Sequence, residues 1–336
     1  MQKQQHYVPK CYSKNFTNGD GYIYMRDMWN DTIFPSKPIN ALKQSRLYTQ
    51  PVHAEKRFDN ALENLFSSTV ESDWTPLVKV IDQRKPLNRE EWGQLIQFMS
   101  SMRVRVPNTI KAVLWAVKDR VILEANKFPV EGICLELFKK KNPEFQGMPL
   151  FEDLVTTGLV NVPIDPHRSL LSFEKLIKNN KAILAINGNP TFIHNLTKTP
   201  FISSDNPFIS HTHVRKLKKI RPYSYDHNLN TEIIFPITSK IVLLMNPSKV
   251  NEKQYFNITK EETVREINNK ISLYSDRYIF GNSASLIRSI PNFGDICPVP
   301  SSGKSRVGPN GVVHELILEF GSPIKGRNKW KYDFEA

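Results

Sequence analysis

Apolar positions change their spacing twice along the chain. Over residues 1–53 they come in short runs bounded by turn residues. Tyr22-Ile23-Tyr24-Met25 follows Asn18-Gly19-Asp20-Gly21, and Ile33-Phe34 is placed to pair back after Trp29-Asn30-Asp31, so this stretch predicts strands and a hairpin. From residue 54 the steps lengthen to three and four. Phe58, Leu62, Leu65 and Phe66 share one helix face and predict a helical region over 54–82. Asn88, with Glu91 three residues later, has the form of a capping box. It opens a helix whose apolar stripe is Trp92, Leu95, Ile96, Met99 and Met102. Pro107 must break or kink that helix, because it lacks an N–H and clashes with the preceding turn. Further helices are expected over 109–126, 131–140, 149–157 and 169–179.

Near Asn180 the pattern shortens again. Strands are expected over 182–186, 201–203, 232–236, 241–245, 277–280 and 312–320, with one helix over 260–270. The Pro-, Ser- and Gly-rich stretch 298–311 reads as a loop. The sequence therefore predicts N-terminal strands (1–53), a helical block (54–181) and a mostly antiparallel, sheet-rich half (182–325). That order is α+β rather than alternating βα. The N-terminal strands need partners that the later sheet can supply, so one interwoven α+β domain over 1–336 is expected.

Composition narrows the function classes. Among 336 residues, 46 Lys and Arg face 33 Asp and Glu, a formal net charge of +13. Such an excess suits contact with the phosphates of nucleic acid; solubility or attraction to an anionic membrane surface are the other readings. Cys11, Cys134 and Cys297 are far apart and form no CxxC pair. Neither a thiolate metal site nor a disulfide framework is indicated, and a reducing cytoplasm is the simplest setting. No run of 18 apolar residues and no apolar leader are found, so no membrane span is expected. The glycine-rich nucleotide loops, HExxH and GxSxG are missing as well, and no cofactor is indicated.

Several polar clusters carry candidate chemistry. His6, in His6-Tyr7-Val8-Pro9, can act as general acid and base near neutral pH, or simply pack. Arg103 and Arg105 sit at a helix end, suited to a clamp on phosphate or carboxylate, or to an internal ion pair with Glu63 or Glu71. Ser203-Ser204-Asp205-Asn206-Pro207 follows an apolar strand; Asp205 can serve as base or orient a histidine and Asn206 can donate to an oxyanion, though Asp-Asn-Pro is also good turn chemistry. His211 and His213 share a strand face, from which two imidazoles can reach one metal, but no carboxylate stands at a defined spacing, so no metal is assigned. Arg215, Lys216, Lys218, Lys219 and Arg221 put five cations in seven residues, with Tyr223 and Tyr225 beyond, as phosphate contact and base stacking require. Arg277 stands beside Asp276, a partner for it unless a ligand takes that place.

Together these pieces resemble the DUF4238 family. The opening His6-Tyr7-Val8-Pro9…Phe16 is similar to that family's start, and Tyr48 stands where it has an aromatic. Glu63 and Glu71 are similar to its helix glutamates, and Phe201-Ile202-Ser203-Ser204-Asp205-Asn206-Pro207 to its SDNP element. Asn268 or Asn269 followed by Arg277-Tyr278 resembles its late Asn…Arg-Tyr pair. Arg105-Val106-Pro107 has Val where the family has Thr, and Lys10 stands where it usually has Gln. The resemblance spans roughly residues 5–282 and implies that the scattered polar set His6, Glu71, Arg105, Asp205, Asn206 and Arg277 marks an active or binding site.

The leading expectation is a nucleic-acid-directed enzyme, a metal-independent ribonuclease or phosphodiesterase, by analogy in toxin or phage-defence biology. His6, Asp205, Arg105 and Glu71 would be catalytic. Asn206, Arg277, Tyr7, Arg103 and the 215–221 cations would hold substrate. The rivals are a non-catalytic nucleic-acid-binding or adaptor protein, in which the same residues form a structural network, and an enzyme on a small phosphorylated or nucleotide substrate.

Overall fold

The computed structural model describes residues 4–45, 50–52, 57–59, 71–162, 190–214, 219–223, 231–246, 254–293, 296–308 and 311–321. The chain enters through a short strand, β1 (Gln4–His6), and one helical turn, α1 (Lys10–Ser13). The expected hairpin follows as β2 (Ile23–Asp27) and β3 (Thr32–Ser36). It turns through Asp31, whose φ of 53° is a left-handed conformation that Asp tolerates. β4 (Lys43–Ser45) pairs back on β1, and β5 (Gln50–Val52) pairs with β6 (Arg57–Asp59). The helix expected from residue 54 is thus corrected at its start. Phe58 lies in a strand opposite Pro51; Leu62, Leu65 and Phe66 lie outside the described residues, and the end of the expected stretch is helical as α2 (Trp74–Asp82). Helical spacing in a short stretch does not outweigh a pairing partner close in sequence.

The capping box is present: Asn88 Oδ1 accepts the Glu91 N–H at 2.9 Å, and Glu91 Oε2 accepts the Asn88 N–H at 2.8 Å. It opens α3 (Arg89–Arg105). Val106 is extended (φ −78°, ψ 149°), and Pro107 begins α4 (Pro107–Ala125) at the first helical position, where its missing N–H is no loss. α5 (Gly132–Lys141) and α6 (Phe151–Thr156) then gather a small core of Val130, Phe138 and Leu154, separate from the main one.

The second half is sheet-rich, as expected, but holds strands the sequence did not announce, among them 190–195, 219–222 and 255–258; the first of these is β7 (Pro190–Asn195). β8 (Ser203–Ser204) is short, and β9 (Ile209–Val214) and β10 (Lys219–Pro222) form a hairpin. β11 (Thr231–Thr238) and β12 (Ile241–Met245) follow, then β13 (Tyr255–Ile258), α7 (Glu261–Tyr274), β14 (Tyr278–Gly281) and α8 (Ala284–Ser289). The chain closes on a long ribbon, β15 (Cys297–Gly308) with β16 (Gly311–Gly321). The loop expected over 298–311 is therefore a correction. A two-stranded ribbon leaves each strand one unpaired edge, which tolerates Pro298 and Pro300, and the register shifts between Pro300 and Ser302. The expected helix 169–179 and strand 182–186 lie outside the described residues, as do Tyr48 and Glu63.

Two sheets organise the α+β architecture. One runs β10-β9-β11-β12-β7-β13, antiparallel except for the parallel β7–β13 pair. The other runs β3-β2-β14-β8, so the N-terminal hairpin finds its sheet partner in β14, about 250 residues away. An aromatic cluster joins helices to sheets. Trp74 stacks on Phe98 with ring centres 3.9 Å apart, and Tyr12 lies 5.6 Å from Phe235. The buried Tyr12 hydroxyl donates to Pro236 O at 2.8 Å and lies 2.8 Å from Ser203 Oγ, which supplies the polar partners a buried phenol needs. Each such ring contributes about 2–3 kcal/mol by burial. No helix among the described residues is long and apolar enough to cross a membrane.

Candidate functional site

β8 is two residues long, and its continuation places Asp205 and Asn206 at the centre of the molecule. Asp205 is 2% exposed. Its Oδ1 accepts the Asp276 N–H at 2.8 Å, and its Oδ2 accepts those of Arg277 and Tyr278 at 2.8 and 2.9 Å. One carboxylate thus holds three successive N–H groups where α7 hands over to β14. Burial and the neighbouring Asp276 carboxylate push its pKa up to about 7, against the pull of those three donors. Asp276 is itself held by Lys111 Nζ at 2.6 Å, and its carbonyl accepts the Trp29 indole N–H at 3.0 Å.

Asn206 faces the opposite way. Its amide donates to the Tyr223 hydroxyl at 2.5 Å and to Tyr274 O at 2.9 Å, fully buried. Arg103 lies over the Tyr223 ring, 3.6 Å from its centre, and donates to Thr109 Oγ1. Arg277 Nε and Nη2 both donate to Asp27 Oδ2, at 3.0 and 2.6 Å, and the guanidinium lies near the Trp29 and Tyr278 rings. Burial raises the Asp27 carboxyl, but Arg277 and the local N–H donors outweigh it and leave the group below the usual carboxylate range. Tyr7 is buried beside this cluster; burial first, then Asp205, pushes its phenol far up.

The third part of the set sits at the N-terminal strand. Arg105 is 0% exposed. Its Nη1 donates to Glu71 Oε1 at 2.9 Å, and its Nη2 to the backbone carbonyl of His6 at 2.5 Å. The His6 ring lies half-buried with Nε2 3.2 Å from Ile39 O. An acceptor there fixes the Nε2–H tautomer and leaves Nδ1 as a lone pair. Burial lowers the His6 pKa, against the Ile39 hydrogen bond and Glu71.

These positions revise several sequence expectations. Asp205 does not orient His6, since both its oxygens serve the 276–278 backbone and His6 faces Ile39. Arg105 and Arg277 each turn the guanidinium onto an internal carboxylate, Glu71 and Asp27. Arg277 pairs with Asp27 rather than Asp276. Glu71 forms the internal ion pair that was the alternative for Arg105. His211 Nε2 lies 3.0 Å from Glu232 Oε2, and no group of three or more His, Cys, Asp or Glu suited to a metal occurs among the described residues. Lys219 and Arg221 fall on β10, the edge strand of the six-stranded sheet; their side chains, that of His213, and residues Arg215, Lys216, Lys218 and Tyr225 lie outside the described residues. Sequence reading missed Asp27, Trp29 and Lys111. The only local signal was Asp27-x-Trp29 entering a hairpin turn, and nothing ties it to residue 277.

The architecture and this network define a basic α+β protein whose N-terminal segment is locked to its C-terminal sheet through buried Asp, Asn and Arg side chains. The family model described as "Protein of unknown function (DUF4238)" matches residues 4–285, and the chain belongs to that family. No curated protein and no solved structure matches it.

Proposed function

We infer that the protein binds nucleic acid without cutting it, and that its motif residues build the frame that carries the binding surface. The observation behind this reading is the saturation of the groups that would otherwise handle phosphate. Arg105 is wholly buried against Glu71 and the His6 carbonyl, and Asp205 has both oxygens on backbone N–H groups. A catalytic group needs valences left for substrate. The binding surface in this reading is the stretch from Arg215 to Arg221, five cations in seven residues, of which Lys219 and Arg221 belong to the edge strand β10. The test is fluorescence anisotropy of labelled oligonucleotides across a salt series. Replacing those five cations with Gln lowers the slope of log affinity against log salt by about 4 for double-stranded DNA. An unchanged slope overturns the assignment.

One observation favours the enzymatic reading instead. A half-buried His6, held neutral by burial and anchored through Nε2, presents Nδ1 as a base. Under that reading His6→Ala abolishes RNA or DNA cleavage while the fold persists. Absence of cleavage by the wild-type protein leaves the binding reading standing; equal cleavage by both proteins removes His6 from the chemistry and overturns binding without cutting.

A further inference from the structure

A cleft of about 600 Å³ opens on the side of α7 away from the main core, within the size range of small-molecule sites. Three segments wall it: Lys198-Thr199-Pro200 between β7 and β8, the helix face bearing Arg265, Asn268 and Asn269, and residues 283–291 on and after α8. Positions 265, 268 and 269 fall at i, i+3 and i+4, so their side chains share one side of the helix, while Val264, Ile267 and Ile271 face the core.

The chemistry of the lining is one-sided. It holds two cations, Lys198 and Arg265, and no carboxylate. Four hydroxyls line the cleft as well; Ser289 donates to Leu286 O at 2.7 Å and Thr199 bonds Glu261, which leaves the Ser283–Ser285 pair, 3.2 Å apart, to donate outward. The carboxylate close by, Glu261, accepts the Lys198 backbone N–H at 3.0 Å and bonds the Thr199 side chain, which turns it onto the loop, and its charge is felt by Arg265 one turn on. Neither Lys198 nor Arg265 forms an ion pair among the described residues, in contrast to Arg105 and Arg277. Pro200, Leu286, Ile290 and Pro291 supply an apolar wall beside the polar one.

The cleft is also built rather than incidental. The Asn268 side chain donates to Pro200 O at 3.0 Å and accepts the Ile202 N–H at 3.0 Å, pinning one wall to α7. Ser272 Oγ donates to Pro291 O at 3.2 Å and pins the other. Behind it, Gly281 lets α8 pack closely: a Cβ there would lie 3.2 Å from Leu286 and 3.3 Å from Ile287. Walls fixed in this way lose little freedom when a ligand enters.

The geometry points to this cleft as a binding site for a small phosphate monoester, with Lys198 and Arg265 matching the dianion, the Ser283–Ser285 pair and Asn269 completing its hydrogen bonds, and the apolar wall holding the esterified body. Two cations balance two charges, and hydroxyl and amide groups suit the remaining phosphate oxygens. This site is separate from the 215–221 surface and stands or falls independently of nucleic-acid binding.

The test is calorimetric titration of the full chain with adenosine monophosphate, glucose 6-phosphate and inorganic phosphate, each against its phosphate-free counterpart where one exists. At least one phosphate is expected to bind saturably below about 1 mM, with adenosine and glucose silent. Preference for the nucleotide or for the sugar phosphate identifies the body the apolar wall accepts; equal binding of inorganic phosphate supports a pocket that reads the phosphate alone. Lys198→Ala and Arg265→Ala each weaken binding about tenfold and together abolish it, while Gln replacements over 215–221 leave it unchanged. Both cations are exposed, so these variants keep the fold, which a thermal melt checks. No binding of any phosphate by the wild-type protein, survival of binding in the double variant, or binding confined to phosphorylated oligonucleotides overturns the proposal.

Discussion

The polar residues of the motif network and those of the cleft are similar in kind and opposite in circumstance. Asp205, Asn206 and Arg105 are buried, and each donates or accepts inside the chain. Lys198 and Arg265 are exposed, line a common space and face no carboxylate across it. A buried charge with complete partners holds a particular arrangement of chain segments in place, because removing one partner leaves the other unsatisfied. An exposed cation beside hydroxyls costs the fold nothing and is available to a ligand. In this protein motif residues such as Asp205 and Arg105 brace the fold, whereas the exposed cations of the cleft come from segments that carry no motif.

The largest break in this contrast comes from Asp205→Ala. The substitution strands three buried backbone N–H groups, so stability measured by urea unfolding falls by roughly 3–5 kcal/mol, and Asp205→Asn loses less because one acceptor oxygen remains. A loss under 1 kcal/mol would mean that the 276–278 turn finds other acceptors and that Asp205 is free for other work.

How far this division was legible beforehand differs between fold and site. The α+β order, the capping box at Asn88, the break at Pro107 and the β11–β12 pair all rest on neighbours within a few residues, where spacing and turn chemistry are informative. β15 was missed because its Pro and Gly content reads as loop, and only its partner β16 makes it a strand. In the site, the residues were readable one by one, but their partners were not. Asp27 with Arg277, and Lys111 with Asp276, are long-range pairs that depend on the finished topology. The cleft was invisible for the same reason, since Lys198, Arg265 and Ser285 share no motif.

A second, smaller perturbation uses pH. Burial raises the Glu232 carboxyl, but the hydrogen bond with His211 and the Lys270 ammonium at 2.9 Å outweigh it and hold its pKa at about 2. A depressed carboxylate contributes stability above its unfolded pKa near 4.5, and that contribution disappears as pH falls through about 2. Urea midpoints between pH 5 and pH 2 should fall, with roughly 2 kcal/mol of the loss belonging to this group. Glu232→Gln should be less stable at pH 7 and should flatten the acid limb by that amount. An acid limb of unchanged steepness in the variant would remove Glu232 from the account.

The smallest effect on stability is expected where the binding effect is expected to be largest. Arg265→Ala and Lys198→Ala remove exposed side chains with no ion pair among the described residues, so each changes unfolding free energy by less than about 0.5 kcal/mol. Arg105→Ala, by contrast, leaves Glu71 and the His6 carbonyl facing a cavity and costs about 3 kcal/mol. The two arginines thus form a paired experiment on one side-chain chemistry. If Arg265→Ala destabilises the protein as Arg105→Ala does, the cleft is another brace and its charge is structural. If it leaves unfolding untouched and removes phosphate binding, frame and binding site are distinct sets of residues, and substitutions that abolish function through the motif network act by unfolding the protein.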